Sequence, residues 1–249
     1  MESSGESFYW YDLETTGIDP RRDRVVQFAG LRTDTDLEPI EEPFVTYVRL
    51  APEILPSVEA TLITGITPAI AEQGEGEWQA LSEINERFSV ADTCVTGFNN
   101  IRFDDEFIRF GLYRNLFDPY GREWRDGNSR WDLIDLVRAS GALRPDGLEW
   151  PLRDGRPVFS LEQMARANNL QHENATTRCP TSRQKLALAR PLNLANLSYT
   201  PMPSHCVKNH DWKTYVAVGR TNLCARIWHL PEPPFFPCAH CLGRSPPYD

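Results

Sequence analysis

Apolar residues enter the chain in short dense runs. Phe8-Tyr9-Trp10-Tyr11-Asp12-Leu13 and Arg24-Val25-Val26-Gln27-Phe28-Ala29 are aromatic and β-branched, with Gly17 and Pro20 between them. That pattern predicts two paired strands, and Phe44-Val45-Thr46-Tyr47-Val48 predicts a third. The period then changes. Thr67 before Pro68 reads as an N-cap with proline at the first helical position, and Trp78, Leu81, Ile84 and Phe88 follow at helical spacing. Thr93-Cys94-Val95-Thr96-Gly97-Phe98 returns to a strand, and residues 105–114, 131–138 and 160–168 predict helices. The last of these opens on a capping box, Ser160-Leu161-Glu162-Gln163. Three opening strands and then alternating helix and strand predict an α/β fold, a mixed sheet with helices on its faces.

Composition narrows the class. At 249 residues, 41% hydrophobic and 11% aromatic, the chain can bury a core and is too apolar to be disordered throughout. One domain of about 150 to 200 residues plus something extra is expected. No basic stretch followed by an apolar run opens the chain, and no run approaches the roughly 18 apolar residues of a membrane span. A cytoplasmic protein, away from membranes, is expected. The net charge of −9 argues against a generally basic coat for nucleic acid. It does not decide the partner, because an enzyme that binds divalent metal needs clustered carboxylates and can keep its basic residues local.

The average hides a break. Residues 1–175 carry 17 Lys and Arg against 32 Asp and Glu, a charge of −15, whereas residues 176–249 carry 9 against 3, a charge of +6. Five of the six cysteines, four of the five histidines and ten of the twenty prolines also lie in the second stretch. Such a shift marks a boundary near Ala175.

Two elements suggest chemistry. Asp12 and Glu14 stand two apart at the end of an aromatic strand, so a period of two points both to one face. Paired carboxylates there suit two divalent ions about 3.5 to 4 Å apart, although a solvated strand end would read the same. Asn99-Asn100-Ile101-Arg102-Phe103-Asp104-Asp105 follows the apolar run 93–98, placing Asp104 where it could join the cluster, with Asn100 able to tie the turn. As a plain alternative, Asp104 begins a helix, where the dipole favours an acid. From residue 109 to 138 arginines alternate with aromatics (Arg109, Tyr113, Arg114, Phe117, Tyr120, Arg122, Trp124, Arg125, Arg130, Trp131 and Arg138). Aromatic faces stack bases and arginines track phosphates, as a channel for single strands requires. Tyr113, Phe117 and Trp131 also sit where core residues of helices would.

Asp12-Leu13-Glu14-Thr15-Thr16-Gly17 together with Asn100-Ile101-Arg102-Phe103-Asp104 resembles the first two motifs of the DEDD superfamily of 3′ to 5′ exonucleases. Leu62-Ile63-Thr64-Gly65-Ile66-Thr67, Tyr113-Arg114-Asn115, Asp118-Pro119-Tyr120, Asn128-Ser129-Arg130-Trp131-Asp132 and Ala142-Leu143-Arg144-Pro145 bring the resemblance to the bacterial exodeoxyribonuclease I family, of the histidine subtype, from about Phe8 to Ala175. The resemblance implies a ribonuclease H-like exonuclease fold. It implies an enzyme that degrades single-stranded DNA from a free 3′ end to 5′-mononucleotides by two-metal hydrolysis, with a role in DNA repair and recombination. Mg2+ would be the cofactor, two ions, with Mn2+ able to replace it. Asp12, Glu14 and Asp104 would be the first three acids of the metal site, Glu14 also touching the terminal nucleotide. Arg109, Tyr120, Trp124 and Arg138 would contact the strand. A monomer is implied, with single-strand DNA-binding protein as a further partner.

Beyond Ala175 the pattern breaks. The family requires a His-Asp-Ala-x-x-Asp helix soon after Leu170–Ala175, and Thr176-Thr177-Arg178-Cys179-Pro180-Thr181-Ser182 stands in its place. Codons for those seven residues can be chosen so that the same bases, regrouped one position earlier, spell His-Asp-Ala-Leu-Ser-Asp-Val. The expectation is therefore a nuclease domain over residues 1–175, incomplete at its C-terminal end, and an out-of-frame, poorly structured tail over 176–249. His172 matches a different family position and is no substitute for the lost base, and Ser160 stands where a substrate-contacting arginine would be. Two other readings compete. One is a catalytically dead single-strand DNA-binding remnant. The other is a zinc-binding interaction module built on Cys238-x-x-Cys241 with His240, His229, Cys224, Cys206 and His205, although a lone Cys-x-x-Cys broken by Pro231-Glu232-Pro233-Pro234 gives it little support.

Overall fold

The computed structural model describes residues 6–143, 145–170 and 180–196. The cysteines and histidines of the zinc alternative, and His172, lie outside them. Strand β1 (Ser7–Thr15) pairs antiparallel with β2 (Val25–Thr33), which pairs antiparallel with β3 (Phe44–Arg49). Helices α1 (Val58–Thr64) and α2 (Pro68–Ala71) and the two-residue β4 (Glu75–Gly76) lead into α3 (Glu77–Phe88) and β5 (Thr93–Gly97). Helix α4 (Asp104–Arg114), β6 (Ser129–Asp132) and α5 (Leu133–Leu143) follow, then the hairpin β7 (Leu152–Arg153) and β8 (Arg156–Pro157), α6 (Leu161–Ala167) and α7 (Pro180–Asn196). The main sheet runs β4-β3-β2-β1-β5-β6, with β5 parallel to both β1 and β6. This is the mixed sheet that the alternation of elements predicts.

Being central, β1 is covered on both faces, which explains its unbroken aromatic run. Tyr9, Tyr11 and Leu13 join Phe28, Leu81, Ile84, Phe88, Phe107, Ile108 and Leu112 on one side, under α3 and α4. Phe8 and Trp10 join Leu133, Val137, Met164, Leu188, Ala189 and Leu192 on the other, under α5, α6 and α7. Each such side chain contributes about 1.5 to 3 kcal/mol by leaving water.

Several local expectations change. Thr67 does cap a helix, accepting from the Ile70 amide, but that helix has four residues, and the Trp78–Phe88 repeat belongs to α3, beyond Gly74 and Gly76. Trp131 and Asp132 are strand residues, hydrogen-bonded to β5, so the helix predicted from 131 begins at Leu133. Ser160 is the N-cap of α6, yet its side chain makes no capping bond. Of the three aromatics read as core, Phe117 and Trp131 are partly buried and Tyr113 is exposed.

A further difference concerns residues 180–196. Little regular structure is expected beyond 175, whereas residues 180–196 form a helix with Leu186, Leu188, Ala189 and Leu192 buried in the second core. Lys185, Leu188, Ala189 and Leu192 repeat at i, i+3, i+4, i+7, one face of a helix, a period only two turns long. The helix runs through Pro191 at the loss of one backbone hydrogen bond. Residues 197–249 lie outside the described structure.

Candidate active site

The site grows from an offset between β1 and β5. Only Ser7 to Trp10 pair with β5, so from Tyr11 onward that edge of β1 is left to other partners. The chain leaves β5 at Gly97, where a Cβ would come within 2.9 Å of the Asn100 Cβ and 3.1 Å of the Tyr11 carbonyl. Glycine thus lets the turn press against β1, and Asn99 takes the left-handed conformation, φ 63°, that asparagine tolerates. The turn delivers Asp104 at the start of α4, with Oδ1 accepting from the Leu13 amide at 3.2 Å.

Asn100 does not tie this turn. It is fully buried, and neither end of its amide finds a partner among the described residues. Asp132, at the end of β6, does the work instead, accepting from the amides of Asn99 (2.7 Å), Ile101 (3.2 Å) and Ile134 (3.1 Å). Burial pushes its carboxyl above the usual range despite those bonds.

Asp12 and Glu14 alternate with buried Leu13 and share the face that α7 covers. Burial raises Glu14, and the Asp12 charge raises it further. Asp104 is nearly inaccessible, and burial, reinforced by Asp12 against the opposing pull of Lys185, lifts it to about 7. The charge of Asp12 thus acts on both Glu14 and Asp104 at one end of β1. Among the described residues, however, no three His, Cys, Asp or Glu side chains are arranged to hold a metal ion. What stands on Asp12 is an ammonium: Lys185 Nζ donates to Asp12 Oδ1 at 2.6 Å and to the Tyr11 carbonyl at 2.7 Å. The donors are of the kind that hard cations take, but their present arrangement does not fit one.

The neighbouring acid is used otherwise. Asp105 is fully buried, accepting from the Tyr11 hydroxyl (2.6 Å), Arg122 (3.2 Å) and Arg130 (2.9 Å). Burial alone would raise it, but Arg122 together with the Tyr11 and Arg130 hydrogen bonds outweighs burial and holds it below the usual range. Sequence alone does not separate Asp104 from Asp105, or reveal Asp132 and Lys185.

The strand-contacting candidates divide. Tyr120 and Trp124 are exposed aromatics. Arg109 is mostly buried, forked onto Glu123 at 2.9 and 3.0 Å and paired with Glu106, its guanidinium 5.2 Å from the Tyr120 ring. Its guanidinium is thus engaged by two carboxylates beside the Tyr120 ring. Arg138 is part-exposed, 3.6 Å from Asp135.

A mixed sheet with acids at the end of its central strand and another at the next strand-to-helix junction is the ribonuclease H-like exonuclease fold. Residues 9–175 match the RNase_T exonuclease family model, and the chain belongs to that family. Exodeoxyribonuclease I of Haemophilus influenzae is 49% identical over 171 residues, 68% of this chain and 36% of that protein, so the chain spans about a third of its length. A moderately thermophilic exonuclease I from Methylocaldum szegediense superposes with TM-score 0.73 at 52% identity, covering 78% of this chain and 43% of the other. Escherichia coli exonuclease I in complex with a dA16 oligonucleotide gives 0.74 at 42% identity, covering 78% and 42%. Exonuclease I structures of similar likeness include a zinc-bound form with single-stranded DNA and a complex with the SSB C-terminus.

Proposed function

We propose that residues 1–175 are the nuclease domain of an enzyme that removes 5′-mononucleotides from the 3′ end of single-stranded DNA, in DNA repair and recombination. The observation that carries this reading is Asp104 hydrogen-bonded to the Leu13 amide, between Asp12 and Glu14 on the same strand. Were Mg2+ or Mn2+ to take the place of the ammonium, Asp12, Glu14 and Asp104 would be the residues to hold it, and the ions would supply a water of lowered pKa and stabilise the leaving oxygen. For the strand, Tyr120 and Trp124 offer exposed faces, and base stacking on an aromatic is worth about 1 to 3 kcal/mol. Arg109 steadies the Tyr120 ring, and Arg138 adds positive charge. The chain is taken as a cytoplasmic monomer, and single-strand DNA-binding protein is proposed as a partner from the likeness to the exonuclease I that binds the SSB C-terminus.

The test is a 5′-labelled single strand incubated with Mg2+ and the chain in which positions 176 to 182 read His-Asp-Ala-Leu-Ser-Asp-Val with an in-frame continuation. Shortening from the 3′ end with release of mononucleotides supports the reading, and internal cuts or release from the 5′ end would sink it. A second reading, a catalytically silent single-strand binder, is favoured by the lysine on Asp12. Retention of the strand without shortening would select it.

A further inference from the structure

Helix α7 comes from beyond the stretch that matches the exonuclease family, yet it reaches the heart of the carboxylate cluster. Leu188, Ala189 and Leu192 pack on the same core as Phe8 and Trp10 of β1. Lys185 lies on the same helical face one turn before Leu188, so docking the apolar residues delivers its side chain to the end of the strand. There the side chain is 1% exposed. Lysine is almost never buried so fully unless its charge is matched, because an ammonium out of water needs both an opposing charge and acceptors. Asp12 supplies the charge and one acceptor, and the Tyr11 carbonyl supplies another. The same ammonium also opposes the charge that Asp12 places on Glu14 and on Asp104.

We propose that Lys185 is the resident cation of this cluster and keeps a divalent ion out of it. One positive charge on a short tether, held by an oxygen of Asp12 and a backbone oxygen, does part of what a metal ion would do there. It offers no open coordination position for a water or a phosphate oxygen. An ion entering at Asp12 would have to displace the ammonium and undo the α7 contact. The inference rests on reading Asp12, Glu14 and Asp104 as a metal site.

The experiment uses the full 249-residue chain, with Mn2+ binding followed by electron paramagnetic resonance and thermal unfolding followed with and without the ion. The unaltered chain should bind Mn2+ weakly and keep its Tm when the ion is added. Lys185→Met should lower Tm in the absence of metal, bind Mn2+ about tenfold or more tightly, a gain of about 1.4 kcal/mol, and recover Tm when the ion is added. Equal Mn2+ affinity of the two chains, or an unchanged Tm without metal, would overturn the proposal. Should Lys185→Met fail to fold, the Lys185→Met/Asp12→Asn chain, with both charges removed, should fold without metal. Failure of that pair to restore folding also counts against the lysine. If the pair restores Tm and no variant binds Mn2+, the metal-site reading itself falls, and with it the exclusion, while the ammonium keeps its part as counter-ion.

Discussion

Residues 6–170 and residues 180–196 meet on Asp12, and they do so on different physical grounds. The first stretch builds its side of the cluster from many mutually dependent bonds. Strand pairing sets β1, Asp132 holds the turn, the Leu13 amide fixes Asp104, and Arg122, Arg130 and Tyr11 lock Asp105. The second stretch contributes one ammonium and a few apolar side chains. Docking a helix on an apolar sheet face requires little more than the right period, whereas placing a catalytic base or a metal ligand requires a particular side chain at a particular position. A helix can therefore close this core without completing its chemistry.

The largest expected effect tests that separation directly. The resemblance implies a histidine and a fourth acid that positions 176 to 182 do not supply, and general-base help alone is typically worth about 10² to 10⁴-fold. The chain should be nearly inactive on single-stranded DNA even with Mg2+. Restoring positions 176 to 182 to His-Asp-Ala-Leu-Ser-Asp-Val, together with the native continuation, should recover the rate in a single-turnover assay. Family-like digestion by the unaltered chain would mean that another group, such as His172, serves as base.

Next comes the network on the first side. Removing Asp105 as Asp105→Ala takes the nearer carboxylate from the buried Arg122, leaving Glu123 at 3.7 Å, and should cost about 3 to 5 kcal/mol in urea unfolding. Asp104→Asn should cost far less, because it keeps an acceptor for the Leu13 amide and removes a carboxylate that burial already disfavours. Equal losses would show that the two adjacent acids share one structural role.

These adjacent acids mark how far the sequence could be read. The strands were legible because aromatic runs bounded by Gly17 and Pro20 leave few alternatives, the shared face of Asp12 and Glu14 follows from the strand period, and the choice of Asp104 over Asp105 rested on the motif resemblance. The division of labour between Asp104 and Asp105 depends on Arg122 and Arg130, which reach them only through the fold. Trp131 suits a helix period and a buried parallel strand equally well, and pairing with β5 decides between them. Lys185 was hidden by distance, since its partner Asp12 lies 173 residues away.

Leu188→Ala measures what the second stretch contributes. Leu188 is fully buried in the core that includes Phe8 and Trp10, so truncation should cost about 2 to 5 kcal/mol if α7 is part of the cooperative fold. A loss under about 0.5 kcal/mol, the size of an ordinary surface change, would return residues 180–196 to a loosely attached tail.

The smallest effect concerns Asp132, and its size depends on pH. Asp132→Asn retains one carbonyl acceptor and presents an amide group where three backbone N–H donors converge, so it should cost about 1 to 3 kcal/mol by leaving a buried donor unmatched. Burial, however, raises the Asp132 carboxyl above its ordinary value. A carboxyl whose folded pKa is raised keeps its proton in the native state while the unfolded chain has already released it, so stability falls as pH rises from the ordinary carboxylate range through the folded value. The asparagine variant lacks that loss, and its other groups titrate as in the unaltered chain. The deficit of Asp132→Asn should therefore be larger at pH 4 than at pH 7, measured as the difference between paired urea unfolding curves. A deficit that grows with pH would mean that the three amides hold Asp132 below its ordinary value, and that the turn delivering Asp104 is fixed by a charge rather than in spite of one.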